Sequence, residues 1–431
     1  MKTAIKKTRI ICLVIFSIVT IGFHHVQASD FIQDFNASKE ELFEKIPITL
    51  FDIRYTNTIL DWQQDVTEKP LDMLLWAKEG KIKANDFIFS TAFWGSLMFE
   101  QSNVAGKFPI LSRFPSQHDN TSKKAEEQVI NNFALGLSLR VLDWLTVYAQ
   151  REFTEIEFIG QEAWQWRKGY VMLGNLEKFP FYAYYGRNTV DFGWLDAYNP
   201  FTHSVPNHFY RIDSDDPVIG LGFYKEGLHM IGTLIPSGRH LRTADTEDDN
   251  GWDNGSFLAS YEKSISDDFS FKLGTGYLHS TIYNRDIAHH PGFNLSASKI
   301  IKRNGAWDAF LEFHWKQLRL GGEFISTLRK WPTTKHRVQA LNVQIAYDLE
   351  IFTIPTSLSV VYGRGEQGPS RSAYEKLEQI VAGIEIRPIE NIAIAFEYVR
   401  NNDFVPLAVI TLASDKEVST NTFIAGIKIS F

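Results

Sequence analysis

The chain has 431 residues, of which 14% are aromatic and 22% are charged, and its formal net charge at pH 7 is −7. This mildly acidic balance argues against nucleic acid as a partner, because binding a polyanion needs clustered basic residues. Beyond residue 28 no apolar run approaches the roughly 18 residues that a membrane-spanning helix needs. Any membrane signal in the mature chain must therefore lie in residue alternation.

The first 28 residues have the pattern of a secretory signal peptide. Met1–Arg9 carries four basic residues and no acid, and the apolar run Ile10–Phe23 follows it. Cleavage is expected after Ala28, which ends a small-residue site. Cys12 is the only cysteine and lies in the apolar run, so the mature chain is expected to have neither a disulfide nor a thiolate metal site.

Residues 29–85 are predicted to form a periplasmic amino-terminal segment. Pro70–Lys81 has the pattern of an amphipathic helix that starts at proline. Ile48–Tyr55 fits either a short strand or a small plug element, and the sequence leaves both open. The segment is too short for the large plug domain of energised receptors, which argues against TonB-dependent transport.

Strict alternation of apolar and polar residues dominates the rest of the chain. In Trp307–Trp315 and again in Phe133–Val141, one face suits lipid and the other suits water. Alternation also occurs in soluble sandwiches, but here the apolar face repeats in similar lengths down the chain. The last strand ends on Phe431, which resembles the assembly signal read by the barrel assembly machinery. The predicted fold class is all-β, a transmembrane antiparallel β-barrel in the outer membrane, occupying residues 86–431.

Sixteen strands are predicted, because seven tight turns alternate with eight long polar connections and single-chain bacterial barrels have even strand numbers. The segments are 86–100, 129–141, 143–154, 168–177, 180–190, 217–226, 228–236, 255–264, 268–283, 306–315, 318–329, 338–349, 356–364, 378–388, 390–400 and 421–431. Phe293–Ile301 also alternates, but counting it would give an odd number, so we assign it to an outer loop. Sixteen strands are wide enough for an aqueous lumen.

Two stretches resemble the LbtU-type siderophore porins. One is Pro70–Leu75, at the entry to the barrel. The other is the hairpin 171–183, followed by Gly186-Arg187 and by Asp191-Phe192-Gly193, with Asp191 where the family often has proline. Related hairpins occur in phosphate-selective and other specific porins. The resemblance implies a TonB-independent outer-membrane channel that takes up a ferric siderophore.

Strand parity predicts that a mixed set of charged side chains faces the lumen. These are Arg140, Arg187, Lys272, Asp308, Glu312, Arg319, Glu323, Glu385, Arg387, Glu397 and Lys428. Such a mixed field orients dipolar or multiply charged solutes. The alternative is that opposite charges pair across neighbouring strands and brace the wall.

The third long loop, Asp191–Asp216, is unusually aromatic. Its candidate solute-contacting residues are Trp194, Tyr198, His203, His208, Tyr210 and Arg211. If the loop folds inward, it narrows the pore, and Arg187 and Arg211 could pair with carboxylates or phosphates of a solute. The alternative is a loop on the outer surface.

Two other motifs in the sequence do not meet the requirements of a metal site or a catalytic site. The acidic loop Thr243–Gly255 lacks the turn glycine and bidentate glutamate of an EF-hand, so no metal or cofactor is predicted. Glu312 and His314 are adjacent on one strand face with no evident serine partner, so no catalytic residue is predicted. The alternation thus predicts an outer-membrane channel in contact with lipid and lipopolysaccharide, and the resemblance to siderophore porins implies a ferric siderophore as the preferred solute. A general or anion-selective porin is the main alternative, and an adhesin or a rim-located hydrolase are others.

Overall fold

A computed structural model describes most of the predicted barrel. The described residues are 48–50, 69–108, 121–155, 163–212, 217–235, 252, 254–281, 304–331, 335–368, 375–403 and 417–430. The signal peptide, Phe293–Ile301, most of the acidic loop and Phe431 lie outside them. None of the helices in the described ranges has the length and apolar character needed to span a bilayer.

The described elements are almost all strands. In chain order they are β1 (Ile48–Leu50), α1 (Lys69–Lys78), β2 (Phe87–Ser102), β3 (Lys124–Val141), β4 (Leu145–Phe153), β5 (Trp164–Gly174), β6 (Phe181–Arg187), α2 (Val205–Tyr210), β7 (Val218–Lys225), β8 (Leu228–Ile235), β9 (Asn254–Ser266), β10 (Phe269–Leu278), β11 (Ala306–Trp315), β12 (Leu318–Thr327), β13 (Gln339–Ile351), β14 (Ile354–Glu366), β15 (Lys376–Ile389), β16 (Ile392–Asp403) and β17 (Ser419–Ser430).

Strands β2 to β17 form a closed antiparallel barrel. Each strand pairs with the next in sequence, and β17 pairs with β2 from Ser102 down to Ala92, which closes the sheet. The predicted sixteen strands and their order of tight turns and long connections are confirmed. At one tight turn, Glu226 and Gly227 both have positive φ, 51° and 85°, as a two-residue hairpin requires. We call the end of the barrel with the tight turns the turn end, and the end with the long connections the loop end.

The two faces of the barrel wall differ as lipid and water require. Outward-facing Val343, Ile345 and Tyr347 expose 51%, 42% and 47% of their surface, whereas inward-facing Asn342 and Asp308 are fully buried. A continuous apolar exterior around a polar interior is the arrangement of a transmembrane barrel, because the outer face needs lipid rather than water. The predicted placement as a multi-pass β-barrel of the outer membrane is confirmed.

The described part of the amino-terminal segment contacts the barrel. Strand β1 pairs in parallel with Phe87–Phe89 of β2, so Ile48–Leu50 is a strand, and the rest of Ile48–Tyr55 lies outside the described residues. Helix α1 buries Met73 and Leu74 to 1% exposure. The Tyr170 hydroxyl donates to the Met73 sulfur over 3.0 Å, and Tyr170 faces inward from β5. Helix α1 therefore lies inside the barrel, against β5 near the turn end.

Candidate pore and its inner loop

The described part of the third long loop, residues 188–212, folds into the barrel, and we call it the inner loop. Val190, Phe192, Phe209 and Tyr210 all have 0% exposure. Of the two alternatives for this loop, the inward one describes the structure, and an outer-surface loop does not.

Local sequence shapes the inner loop. Ser204 caps α2 by accepting a hydrogen bond from the backbone N–H of Asn207, and a proline follows at the start of the helix, where its missing N–H costs nothing. Two wall glycines on β14 make room for the helix, because a Cβ on Gly363 would overlap Val205 and a Cβ on Gly365 would overlap Phe209.

Glu323 of β12 holds the first bend of the inner loop. Its carboxylate accepts the backbone N–H of Trp194 over 2.7 Å and that of Leu195 over 3.0 Å. Leu195 adopts a positive φ of 62° and Gly193 one of 75°, so the bend turns its N–H groups toward the wall. Hydrogen bonds to a carboxylate are stronger than those between neutral groups, so Glu323 fixes this bend against the wall.

Glu397 of β16 holds the next bend. Its carboxylate accepts the backbone N–H groups of Phe201 and Thr202 over 2.9 and 3.2 Å and the Asn199 amide over 3.2 Å. The Thr202 hydroxyl donates to the same carboxylate. Phe201 then stacks on Trp94 of β2, with ring centroids 5.4 Å apart. The loop thus reaches across the barrel to the strands that close it.

Tyr198 lies between these bends and contacts β11, β12 and β13. Its backbone N–H donates to Gln344 over 3.0 Å, and its hydroxyl donates to Glu312 over 2.5 Å. Burial, followed by the neighbouring Glu312 carboxylate, raises the pKa of the Tyr198 phenol far above its usual value. The hydroxyl therefore stays protonated and remains a donor. The Arg319 guanidinium lies over the Tyr198 ring, 4.8 Å from its centroid, in cation–π geometry.

Near the turn end, charged side chains on the inner wall contact water, and we call them the charged vestibule. Its members are Glu262, Lys272, Glu312, His314, Arg319, Asp348, Glu385, Arg387 and Lys428. The side chains of His314, Asp348 and Arg387 are 44%, 47% and 49% exposed although they point into the barrel. This part of the lumen is therefore accessible to water.

Opposite charges alternate within the charged vestibule. Arg319 lies 3.0 Å from Asp348, and Glu385 lies 2.7 Å from Arg387 and 3.5 Å from Lys428. With histidine neutral, its four basic side chains balance its four acidic ones.

The structure divides the predicted lumen residues into groups. Glu312, Glu323 and Glu397 hold the inner loop, and Asp308 is fully buried on β11. Arg140 is 6% exposed and donates to the Asp143 carbonyl over 2.5 Å at a turn. The rest of the inward set, Lys272, Arg319, Glu385, Arg387 and Lys428, lies in the charged vestibule.

The inward placement predicted for Arg187 is wrong. Arg187 pairs in register with Gly169, and it lies on the same strand face as Tyr185, which is 55% exposed. Since side chains alternate strictly along a strand, this face is the outer one. The inward residues of β6 are Tyr182 and Tyr184, 4% and 2% exposed. Arg187 therefore cannot line the lumen at this position.

The predicted loop residues are brought together in part. Trp194 and Tyr198 meet edge to face, with centroids 5.8 Å apart, and the rings of His203 and His208 meet 5.9 Å apart. The Tyr210 hydroxyl donates to the Val338 carbonyl over 2.6 Å, and Arg211 follows α2. Sequence reasoning missed other functional residues, namely Trp94, Glu262, Gln344 and Asp348. Inward parity on their strands was the signal that could have found them.

The fold resembles solved outer-membrane porins. An anion-selective porin from Comamonas acidovorans aligns over 80% of this chain and 99% of its own, with a TM-score of 0.53 and 10% identity. OprB of Pseudomonas putida aligns over 80% of this chain and 94% of its own, with a TM-score of 0.53 and 9% identity. Salmonella typhi OmpF, in complex with daunomycin, aligns over 80% of this chain and 97% of its own, with a TM-score of 0.50 and 13% identity. No protein-family profile and no curated protein sequence matches the chain. At such low identity the similarity establishes a shared sixteen-stranded barrel fold.

Proposed function

We propose that this protein is a diffusion porin that passes small hydrophilic solutes across the outer membrane with weak selectivity for charge sign. The carrying observation is the water-accessible charged vestibule on the inner wall of a sixteen-stranded barrel, beside a loop hydrogen-bonded inside that barrel. Barrels of this strand number are wide enough for an aqueous channel, and an internal loop reduces the cross-section of such a channel.

The solved neighbours support the same proposal. One of them is described as an anion-selective porin, and another, OmpF, was solved with the small organic molecule daunomycin. The balanced charges of the charged vestibule favour a channel less selective for anions. The barrel fold is thus shared with porins, while the lining that sets selectivity is this chain's own.

Planar-bilayer recording of the purified protein tests the proposal. We expect stable open-channel current and a reversal potential near zero in a salt gradient. Arg387→Ala should shift the reversal potential toward cation preference, because it removes an accessible inner-wall cation. The matched control is Lys263→Ala, which removes an exposed cation at the same end but on the outer face of β9. Absence of current from folded protein would refute the channel and favour the adhesin or hydrolase alternatives.

Ferric siderophore is the finer proposal for the solute, and it rests on the resemblance of the hairpin 171–183 and of Pro70–Leu75 alone. Uptake of labelled ferric siderophore by iron-starved cells, with and without the gene, tests it separately. Lost uptake together with open-channel current would make the protein a siderophore channel. Normal uptake together with current would leave the general porin.

A further inference from the structure

An arginine and two tryptophans form an exposed cluster on the outer face of the barrel at the loop end. The Arg151 guanidinium lies 5.5 Å from the ring centroid of Trp164 and 5.6 Å from that of Trp166. The two rings are 39% and 54% exposed. Tryptophan is enriched where a barrel leaves the hydrocarbon and meets the headgroups. The cluster therefore marks the height of the lipid headgroups.

A shallow depression lies next to this cluster. Gly169 of β5 faces outward, and a Cβ on it would meet nothing within 4 Å. Arg187 flanks Gly169 directly on β6, and Ala149 flanks it on β4. We call the outward set Arg151, Trp164, Trp166, Gly169 and Arg187 the arginine–tryptophan saddle.

The two arginines can reach one ligand. Arg151 is two residues from Ala149 on the same face of β4, and Arg187 lies two strands away at the level of Ala149. Strand geometry puts their Cα atoms roughly 10 Å apart across the sheet and about 7 Å apart along it. Arginine side chains are long, and their planar guanidinium groups bind phosphate oxygens in pairs.

Below the saddle, toward the turn end, the outer face is apolar. Val171 and Leu173 follow Gly169 on the same face of β5 and are 43% and 50% exposed. A lipid whose phosphate lies at the arginines would therefore place its acyl chains along this apolar surface. Phosphate above and hydrocarbon below is the chemistry of a phosphorylated lipid. Since long loops face the cell exterior, the lipid would be one of the outer leaflet.

We propose that the arginine–tryptophan saddle binds a lipopolysaccharide molecule, with a lipid A phosphate between Arg151 and Arg187 and an acyl chain over Gly169, Val171 and Leu173. Trp164 and Trp166 hold Arg151 at headgroup height by cation–π contact. This site depends on the placement of the barrel in the membrane and not on whether the lumen conducts.

The test is native mass spectrometry of the full chain, purified in mild detergent and stripped of endogenous lipid. The added probes are rough lipopolysaccharide, phosphatidylglycerol and inorganic phosphate. The test variant combines Arg151→Ala with Arg187→Ala. The control variant combines Arg364→Ala with Arg400→Ala, two outward-facing arginines at the loop ends of β14 and β16. Heat-modifiable mobility in gels checks that every variant is folded.

We expect wild type and control to retain lipopolysaccharide and the test variant to bind it at least tenfold more weakly. Replacing both saddle arginines with lysine should give an intermediate loss, because charge is kept and paired hydrogen bonding is lost. Binding by the test variant within twofold of wild type would overturn the site. Equal retention of phosphatidylglycerol, or of inorganic phosphate, would overturn the assignment to lipopolysaccharide.

Discussion

At the scale of single residues, the acidic side chains inside this barrel act mainly on the protein itself. Glu323 and Glu397 each accept at least two backbone N–H groups from the inner loop. They are 2% and 3% exposed, so they have little surface left for a solute. Bracing, rather than solute contact, is their role, and the brace runs from the wall to the loop rather than between neighbouring strands.

Glu397→Gln should destabilise the protein by roughly 3 kcal/mol, because an amide that both accepts and donates faces buried donors in place of a carboxylate. Urea titration of the protein in phospholipid vesicles measures this free energy of unfolding. The matched control is Glu378→Gln on β15, whose side chain is 25% exposed in an outer-face ion pair, where little change is expected. Equal loss in both variants would contradict the bracing role of Glu397.

Residue-level prediction from sequence succeeded where a strand shows one polar face and failed at β6. Ten of the eleven charged residues predicted to face inward do so, because their strands carry apolar residues on the other face. In β6, aromatic residues occupy both faces, since Tyr182 and Tyr184 point inward while Phe181 and Tyr185 point outward. The alternation in β6 therefore does not distinguish the inner face from the outer face, and this is why the sequence predicts the wrong face for Arg187.

At the scale of elements, strands were predictable and the paths of the inner segments were not. Period-two alternation is local, so it located all sixteen barrel strands within a few residues of their observed bounds. The path of the inner loop depends on Glu323 and Glu397, which contact residues 129 and 196 positions away. The residue pattern of α1 predicts a helix, but it does not indicate which strand of the barrel the helix packs against.

The inner loop can be fixed covalently to test its position. A Cβ built on Gly363 lies 3.2 Å from the Cβ of Val205, close to the separation across a disulfide. Val205→Cys combined with Gly363→Cys should form that bond in the oxidised protein. We expect the same open-channel conductance before and after reduction, because the loop already lies against β14. Each single cysteine variant serves as a control for side-chain size.

A change of conductance on reducing the double variant, absent from both single variants, would show that the loop occupies another position in the working channel. Failure of the disulfide to form in folded protein would contradict the contact between α2 and β14.

The strand that closes the barrel carries the predicted assembly signal. Strand β17 pairs with β2 over Thr420–Ser430, and Phe431 follows it as the terminal residue. Deleting Phe431 should reduce the amount of folded barrel in the outer membrane several-fold, if the terminal aromatic residue is the recognised signal. Quantitative immunoblotting of membrane fractions measures this, and Phe431→Tyr is the control that keeps an aromatic terminus. Normal levels of the deletion variant would count against the signal.

At the scale of the whole molecule, two segments occupy the interior of one barrel from different sides. The inner loop is hydrogen-bonded to β11, β12, β13 and β16, whereas α1 packs on β5. The barrel wall sets the largest possible cross-section, and these two segments set how much of it a solute can use. Strand number alone therefore overestimates the size limit of the channel.

Removing the two segments separately should distinguish their contributions. Replacing residues 193–209 with a short glycine–serine link should raise conductance and let larger neutral sugars swell proteoliposomes, because the bridge across the lumen is lost. Replacing residues 69–78 in the same way should have a smaller effect, since α1 packs against β5 near the turn end. The variant lacking both should exceed either one. If the loop deletion leaves the sugar size limit unchanged in folded protein, the constriction lies elsewhere, and the balanced charged vestibule would be the next region to vary.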